Sequence, residues 1–108
     1  MSVLVEREPL IHLLKCHPPF FGAVKVDLKP FELRLHDRDV RPNDWLELQE
    51  WDPTTQRHTG GWIWRFVTYV LAGADAERFG LQPGYAIYGL RRVRAEDGYM
   101  PAYAPKAA

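Results

Sequence analysis

Apolar and ionisable residues alternate through the sequence FELRLH, which occupies positions 31–36. A period of two is typical of a half-buried β-strand, because successive side chains point to opposite faces of a sheet. The simplest interpretation places the three apolar side chains in the core and the three ionisable side chains in water. The apolar set is Phe31, Leu33 and Leu35, and the ionisable set is Glu32, Arg34 and His36.

Four more segments have the composition of β-strands. In one of them Leu46 and Leu48 alternate with Glu47 and Gln49, so the two leucines are expected to face inward. In the longest segment both alternating sets are largely apolar, which indicates a strand covered on both faces. The four segments are LIHLLKC at 10–16, DWLELQEWD at 44–52, WIWRFVTYVL at 62–71 and YAIYGLRRV at 85–93.

Helices are predicted to be few and short. Paired prolines suit the first turn of a helix and apolar residues at helical spacing follow them, so we expect a helix from about Pro19 to Val26. Between Gly73 and Gly80 we expect about one helical turn. The fold class is therefore mainly β with one or two short helices. Many short strands separated by turn residues favour a small β-barrel or sandwich.

The length of 108 residues suits one domain with one modest core. We place that domain at residues 10–94, after a lead-in segment at 1–9 and before a tail at 95–108 that we expect to be flexible. The single cysteine, Cys16, excludes a disulfide within the chain. The sequence has no apolar stretch as long as a membrane span and no signal peptide, so we expect no membrane partner and a cytoplasmic location.

Charge and motifs narrow the classes of function. Lys plus Arg equals Asp plus Glu at 14 each, so nucleic acid would have to be bound by a local patch rather than by net charge. His12, Cys16 and His17 do not have the spacing of a closed zinc site. The sequence also lacks a glycine-rich phosphate loop and a Ser-His-Asp signature. We expect no metal and no cofactor.

Two features are candidates for recognition. Glu32 and Arg34 place a hydrogen-bond acceptor beside a planar donor, a combination that suits the edge of a nucleobase or a phosphate. As an exposed ion pair they would add only ~0.2–1 kcal/mol of stability, so recognition is a better reason for them than stability, with a plain solvated strand face as the alternative. Aromatic side chains such as Trp51 and Trp62 could stack on a base or form a contact surface for a protein partner.

The sequence KPFELR at 29–34 resembles the G-x-K-x-x-E-x-R signature of ASCH domains, which belong to the PUA-like superfamily. Over roughly residues 11–91 the chain resembles a family of small uncharacterised ASCH-like proteins of bacteria and phages. The chain departs from the pattern at the signature glycine, where Asp27 stands, and at Asn43, where glycine is usual. The segments that carry the resemblance are LLKCHPPFFGAVKVDLKPFELRLHDRD, PNDWLELQEWDP, HTGG and LQPGYAIYGL.

The resemblance implies a PUA-like β-barrel with a helix beside its opening, and a cleft that binds RNA or a nucleotide. Lys29, Glu32 and Arg34 match the signature position by position, and Arg38 matches an extension of it in the smaller family. Lys29 and Arg34 would meet phosphate or carbonyl oxygens. Glu32 would accept from an exocyclic amine or hold Arg34 in place, and Arg38 would contact the nucleic-acid backbone.

A second hypothesis from the same resemblance is hydrolysis of an acylated nucleoside such as acetylcytidine. Some more distant ASCH-like proteins use the signature lysine with a threonine and with a glutamate from a later helix. Lys29 would be the catalytic residue here, but Glu32 stands at the threonine position and would favour the charged form of the lysine. Binding is therefore preferred to hydrolysis, and a protein-interaction module is a third hypothesis.

Overall fold

A computed structural model of the protein describes residues 6–104 and contains six strands and two short α-helices in that range. The mainly β class is confirmed, and one strand more than expected is present. The elements in chain order are β1 (Leu10–Cys16), α1 (Pro18–Lys25), β2 (Phe31–Leu35), β3 (Trp45–Asp52), β4 (Arg57–Leu71), α2 (Gly73–Arg78), β5 (Tyr85–Arg92), a 3-10 helix (Ala95–Asp97) and β6 (Ala102–Ala104). None of the helices in the described range is long and apolar enough to cross a membrane.

All six strands belong to one sheet, in the order β2-β5-β4-β3-β1-β6. β1 is parallel to both of its neighbours, and the other pairs are antiparallel. Register shifts interrupt the ladders at Gln49–Trp51 of β3 and at Val67–Tyr69 of β4, and such irregularities bend a sheet. Within residues 6–104 no backbone ladder joins the two ends of the sheet, so the sheet is not closed into a hydrogen-bonded barrel.

Two arginine side chains connect β1 to the β2 side of the molecule instead. Pro9 O accepts a backbone hydrogen bond from β6 at 3.1 Å. Backbone carbonyls two residues apart point to the same edge of a strand. Further along that edge, Leu13 O accepts from Arg38 Nη1 at 3.0 Å and Lys15 O accepts from Arg34 Nη1 at 2.9 Å. Side chains thus satisfy the part of the β1 edge that β6 leaves uncovered.

The sheet is buried on both faces around β1, β3 and β4. The main core joins α1 to the sheet and includes Phe21, Leu46 and Leu48, which confirms that the two leucines of β3 face inward. A smaller cluster on the other face contains Ile11 and Trp45, with further aromatic side chains of β4 packed against it. Both alternating sets of β4 therefore have apolar contacts, which explains why its sequence shows no polar face.

β2 is oriented opposite to the simplest interpretation of its sequence. Phe31, Leu33 and Leu35 are 40%, 51% and 53% exposed, whereas Glu32 is only 3% exposed. The expectation that the apolar set faces the core is therefore wrong. The physical reason is that the core side of β2 lies against the uncovered edge of β1, whose carbonyls need hydrogen-bond donors, and Arg34 supplies one of them.

The segment after residue 94, expected to be a flexible tail, contains secondary structure up to residue 104. Asp97 accepts hydrogen bonds from Arg91 and from the backbone N–H of Arg94, which holds the 3-10 helix beside the end of β5. β6 then pairs with the first residues of β1. The domain boundaries at residues 10 and 94 stay predictions.

Candidate functional site

A cavity of about 560 Å³ opens between β2 and the junction of β1 with α1. It lies on the side of the sheet where β2 is the last strand, so its walls come from elements that no backbone ladder joins. Its polar floor contains Lys29, Glu32 and Arg34. Three of the residues predicted from the sequence therefore meet in one concave site.

Glu32 is the centre of this floor. Lys29 Nζ donates to Glu32 Oε1 at 2.6 Å, and Arg34 Nη1 donates to Glu32 Oε2 at 3.0 Å. The carboxylate is almost fully buried, but the side chains of Lys29 and Arg34 are 18% and 17% exposed. We name these three residues the Glu32 cluster. Each cation keeps donors that its single bond to Glu32 does not use, and a ligand in the cavity could accept from them.

The turn between α1 and β2 fixes the position of Lys29. The backbone N–H of Lys29 donates to Ala23 O at 3.1 Å, which folds the turn back onto the helix. Asp27 lies within this turn at a positive φ of 64°, in the left-handed region that favours glycine. Arg92 Nε donates to Asp27 Oδ2 at 2.7 Å and so ties the turn to β5. Aspartate can therefore stand where the signature has glycine.

Arg65 of β4 holds the other side of the same turn. Its guanidinium donates to the carbonyls of Val24 and Lys25 at 3.1 and 3.2 Å, which are among the last carbonyls of α1 and lack partners within the helix. Burial, followed by the positive charge of Arg92, lowers the pKa of Arg65. No sequence pattern indicates this contact, because the two partners are 40 and 41 residues apart.

The rim of the cavity is apolar and aromatic. The outward face of β2 contributes its three exposed apolar side chains, and Phe20 of α1 is 54% exposed on the opposite side. Lys29 Nζ lies 5.6 Å from the ring centre of Phe20 and 5.1 Å from that of Phe31. An ammonium near two ring faces gains from cation–π attraction. The cavity thus combines a charged floor with aromatic side chains at its mouth.

The charge of the cavity is positive although the whole chain is neutral. Lys15, Lys29 and Arg34 line it, and Glu32 is the one carboxylate among its lining residues. Such a concentration of one sign in a concave site attracts ligands of the opposite sign. The geometry therefore suits an anionic ligand, with the local patch that a neutral chain would need to bind nucleic acid.

Cys16 lies at the bottom of the cavity and is buried. Its Sγ is 3.9 Å from Glu32 Oε1. Burial, and after it the charge of Glu32, raises the pKa of the Cys16 thiol to about 12. A nucleophilic cysteine needs a thiolate, so this environment is that of an unreactive thiol.

Two residues singled out in the sequence, His36 and Arg38, lie outside the cavity. His36 Nδ1 is 2.8 Å from the hydroxyl of buried Tyr88, whose pKa burial raises to about 12. Arg38, predicted to bind the ligand, has a buried side chain that donates to Leu13 O and lies 3.6 Å from Asp37. The structure thus brings together three of the four predicted ligand-binding residues and places Arg38 against β1.

A second buried carboxylate, Asp44, was not predicted from the sequence. Both of its oxygens accept from Arg7 at 2.8 Å, and Oδ2 also accepts from His12 Nε2 at 2.8 Å. The backbone N–H groups of Leu10 and Arg41 complete the set. We name Arg7, His12 and Asp44 the Asp44 cluster. Burial acts to raise the pKa of Asp44, but the hydrogen bonds from Arg7 and His12 outweigh it and hold the pKa well below its usual range.

The sequence did contain an indication of this cluster. Asn43, a departure from glycine in the pattern that the sequence resembles, has a positive φ of 77° and lies in the turn that Asp44 N closes by donating to Arg41 O. His12, which lacks the spacing of a zinc ligand, is 2% exposed and donates to Asp44. Among residues 6–104 no group of three or more His, Cys, Asp or Glu side chains is arranged to hold a metal ion.

The geometry gives little support to Lys29 as a catalytic nucleophile. A lysine must be neutral to attack an acyl carbon, and Lys29 forms a close ion pair with Glu32. Cys16 is a second nucleophilic side chain in the cavity, and burial, by raising the pKa of its thiol, keeps it protonated. Hydrolysis of an acylated nucleoside therefore stays a prediction without a supporting contact in the structure.

The fold and the cavity define a small, mainly β domain with a cationic recess at the open side of its sheet. The sequence matches the model of a domain of unknown function, DUF3850, over residues 11–90. The chain therefore belongs to the DUF3850 family. The matched range runs from the second residue of β1 into β5 and contains all three residues of the Glu32 cluster. No curated protein sequence matches the chain.

Proposed function

We propose that the protein binds a nucleotide, or an unpaired base of single-stranded RNA, in the cavity beside β2. The observation that carries the proposal is the Glu32 cluster itself. One buried carboxylate holds an ammonium and a guanidinium at the floor of a cavity of about 560 Å³, and both cations are partly exposed to it. Cavities of this size accommodate ligands as large as a nucleotide.

The roles within the site follow from these contacts. Lys29 and Arg34 would donate to phosphate or carbonyl oxygens of the ligand. Glu32 would hold both cations rather than contact the base, because its carboxylate is almost fully buried and accepts a hydrogen bond from each of them. This fixed arrangement would lower the entropic cost of binding, since the long cationic side chains are ordered before the ligand arrives.

The aromatic rim would provide the apolar part of recognition. Phe20 and Phe31 lie on two sides of Lys29 and are both exposed at the mouth of the cavity. A base stacked on an aromatic side chain contributes ~1–3 kcal/mol to binding, whichever of the four bases it is. A charged floor below such rings suits a ligand that is anionic at one end and flat and apolar at the other, as a nucleotide is.

We further propose that the domain is related to ASCH domains and has a PUA-like architecture. The signature residues Lys29, Glu32 and Arg34 are the ones that line the cavity, and Asp27 at the signature glycine has the left-handed backbone of a glycine. The strongly bent, open sheet would correspond to a barrel in which Arg34 and Arg38 bridge the last gap. A closed β2–β1 ladder in a crystal structure would support this relationship, and an unrelated topology would overturn it.

Replacing Lys29 by glutamine tests the proposed function. K29Q removes one cation from the floor and leaves Glu32 paired with Arg34, so the fold should be retained. We expect at least a tenfold loss of affinity for ribonucleoside monophosphates by isothermal titration calorimetry, because a hydrogen bond to a charged group contributes about 1.5–3 kcal/mol.

The matched control is K25Q, which changes an exposed lysine at the end of α1 that does not line the cavity. It should bind like the wild type at the same ionic strength. Native mass spectrometry of freshly purified wild-type protein provides an independent check, since a nucleotide retained through purification would appear as an added mass. Equal affinities of K29Q and K25Q would overturn the assignment of the site.

A further inference from the structure

The free edge of β2 is the part of the cavity that the proposed function does not use. β5 pairs with one edge of β2, and no strand within residues 6–104 pairs with the other edge. Leu90 N donates to Pro30 O at 2.9 Å, and His36 N donates to Gly84 O at 2.8 Å. The even-numbered residues that flank β2, Pro30 and His36, therefore direct these backbone groups toward β5.

The odd-numbered residues of β2 direct their backbone groups the other way. In an antiparallel pair, both the N–H and the C=O of alternate residues point to the same edge of the strand. With a continuous register from Phe31 to Leu35, the N–H and C=O of Leu33 point away from β5. The cavity runs along this edge, because Glu32 and Arg34 line it from one face of β2 and the odd-numbered side chains line it from the other.

We propose that the backbone N–H and C=O of Leu33 read the Watson–Crick edge of an unpaired base. This inference rests on the proposed function and names the part of the ligand that the site recognises. A base presents donors and acceptors side by side in one plane along that edge. One residue of a free strand edge offers a complementary donor and acceptor, and backbone groups of this kind commonly orient ligands in pockets.

Glu32, Lys29 and Arg34 do not provide both a donor and an acceptor for the Watson–Crick edge of a base, whereas the backbone does. Glu32 is only 3% exposed and its oxygens accept hydrogen bonds from Lys29 and Arg34, so an exocyclic amine in the cavity has little access to them. Lys29 and Arg34 are donors only, and they suit the phosphate. The Leu33 carbonyl is then an acceptor that the core side of the site does not supply. A base paired in a duplex could not use it, so the ligand must be unpaired.

A peptide strand could in principle add to the same edge. The cavity favours a nucleotide because three cations line it and two aromatic rings flank its mouth. Arg34 also crosses from β2 to Lys15 O at 2.9 Å and closes the gap on the core side. The space along the edge is thus short and positively charged, which suits one base with its phosphate better than an extended chain.

The test compares L33P with L33A. Proline removes the N–H on the free edge, where a missing donor does not disturb the β2–β5 ladder, while alanine removes the same side chain and keeps the N–H. The probes are AMP, CMP, GMP and UMP, and a ten-nucleotide single-stranded RNA of mixed sequence. We expect L33P to bind the tightest probe about five- to tenfold more weakly than L33A, the effect of one lost hydrogen bond.

Annealing the RNA to its complement should weaken its binding to the wild type at least tenfold. Suppose that the wild type binds a probe and that K29Q does not. Equal affinities of L33P and L33A would then overturn this inference and leave the proposed function intact. A wild type that binds none of the probes would overturn both.

An NMR measurement on the wild type needs no variant and covers the case in which L33P does not fold. The amide proton of Leu33 should shift downfield when the tightest-binding monophosphate is added, because it gains an acceptor. An unchanged resonance at saturation would overturn the inference. A joint shift of the Phe31, Leu33 and Leu35 amides with protein concentration alone would also overturn it, since β2 would then be pairing with a second copy.

Discussion

The Asp44 cluster and the Glu32 cluster are built from the same parts. Each has a buried carboxylate held by two basic side chains, with the carboxylates 1% and 3% exposed. They differ in how completely the carboxylate is satisfied. Asp44 accepts five hydrogen bonds, two of them from backbone N–H groups, whereas Glu32 accepts one close bond at each oxygen.

This contrast separates a structural ion pair from a candidate binding site. Asp44 joins two distant parts of the chain, residues 7–12 and 41–44, and its two carboxylate oxygens have the partners they can accommodate. Lys29 and Arg34 face a cavity and keep donors that Glu32 does not use. Burial of the carboxylate is the same in both clusters, so burial alone does not identify a functional group. The unused capacity of the partners does.

Replacing Asp44 by asparagine should have the largest effect on stability. D44N leaves Arg7 and His12 without the negative charge that holds them and places an amide where five donors converge. We expect the free energy of unfolding to fall by about 3 kcal/mol, in the range observed when one partner of a buried ion pair is removed. Urea denaturation followed by tryptophan fluorescence measures the change.

Binding provides the contrast for D44N. At a temperature where D44N is still folded, its affinity for nucleotides should equal that of the wild type, because Asp44 does not line the cavity. A loss of binding comparable to that of K29Q would show that the two clusters are coupled.

Acid should destabilise the protein through the same carboxylate. Asp44 has a pKa in the folded state below its usual value of 3.8, so the folded state binds this proton less readily than the unfolded state. The contribution of Asp44 to the free energy of unfolding is fully present above about pH 4 and is lost as the pH falls through the folded-state pKa. Urea midpoints measured from pH 7 to pH 2 should fall steeply below pH 4.

The D44N variant isolates the share of Asp44 in this pH dependence. Asparagine has no proton to gain, so the midpoint of D44N should fall less between pH 4 and pH 2. A parallel decline in both proteins would assign the acid sensitivity to other carboxylates, such as Asp97, whose pKa the hydrogen bond from Arg91 lowers to about 2.

Replacing Glu32 by glutamine should cost less stability but abolish recognition. The cations of this cluster can turn toward the water in the cavity, so we expect a loss of about 1–2 kcal/mol, less than for D44N. Lys29 and Arg34 would lose their common anchor and would no longer be held in place for a phosphate. Calorimetry with ribonucleotides should show at least a tenfold loss of affinity.

The opposite pattern in E32Q would remove the basis of the comparison. A destabilisation as large as that of D44N, together with unchanged binding, would make the Glu32 cluster structural. E47Q is a suitable control, because Glu47 is a carboxylate of β3 that accepts from Trp64 Nε1 outside the cavity. It should change binding little.

The strands β2 and β3 show how far a sequence pattern predicts this fold. Alternation correctly predicted both strands, and in β3 it also predicted that Leu46 and Leu48 are buried. In β2 it gave the wrong face, because alternation defines two faces but does not say which one meets the core. β3 lies inside the sheet and β2 at its end. The strand order that decides the matter depends on contacts far apart in sequence.

The candidate site was predicted in part for a similar reason. Lys29, Glu32 and Arg34 are neighbours along the chain, so one turn and one strand bring them together, and a sequence motif can identify them. In the Asp44 cluster, His12 and Arg7 lie 32 and 37 positions from Asp44 along the chain, so no local motif identifies the three residues together. The cavity also requires β1 and β2, which are not neighbours in the sheet, to come close enough for Arg34 to reach Lys15 O, and composition does not reveal this contact.

The reactivity of Cys16 gives the smallest expected effect and reads the Glu32 cluster directly. It is the only cysteine of the chain, so a thiol reagent such as DTNB reports on the cavity floor alone. Burial is the first cause of the raised pKa of Cys16 and the charge of Glu32 is the second, so labelling at pH 8 should be slow in the wild type. E32Q removes the second cause and keeps the first, and should label about two- to threefold faster.

E47Q should label at the wild-type rate, and a bound nucleotide should slow the labelling of the wild type because it covers the thiol. Equal labelling rates of E32Q and E47Q would mean that Lys29 and Arg34 already neutralise the charge of Glu32 at the thiol. The Glu32 cluster would then differ from the Asp44 cluster in access to solvent rather than in the electrostatic field at the carboxylate.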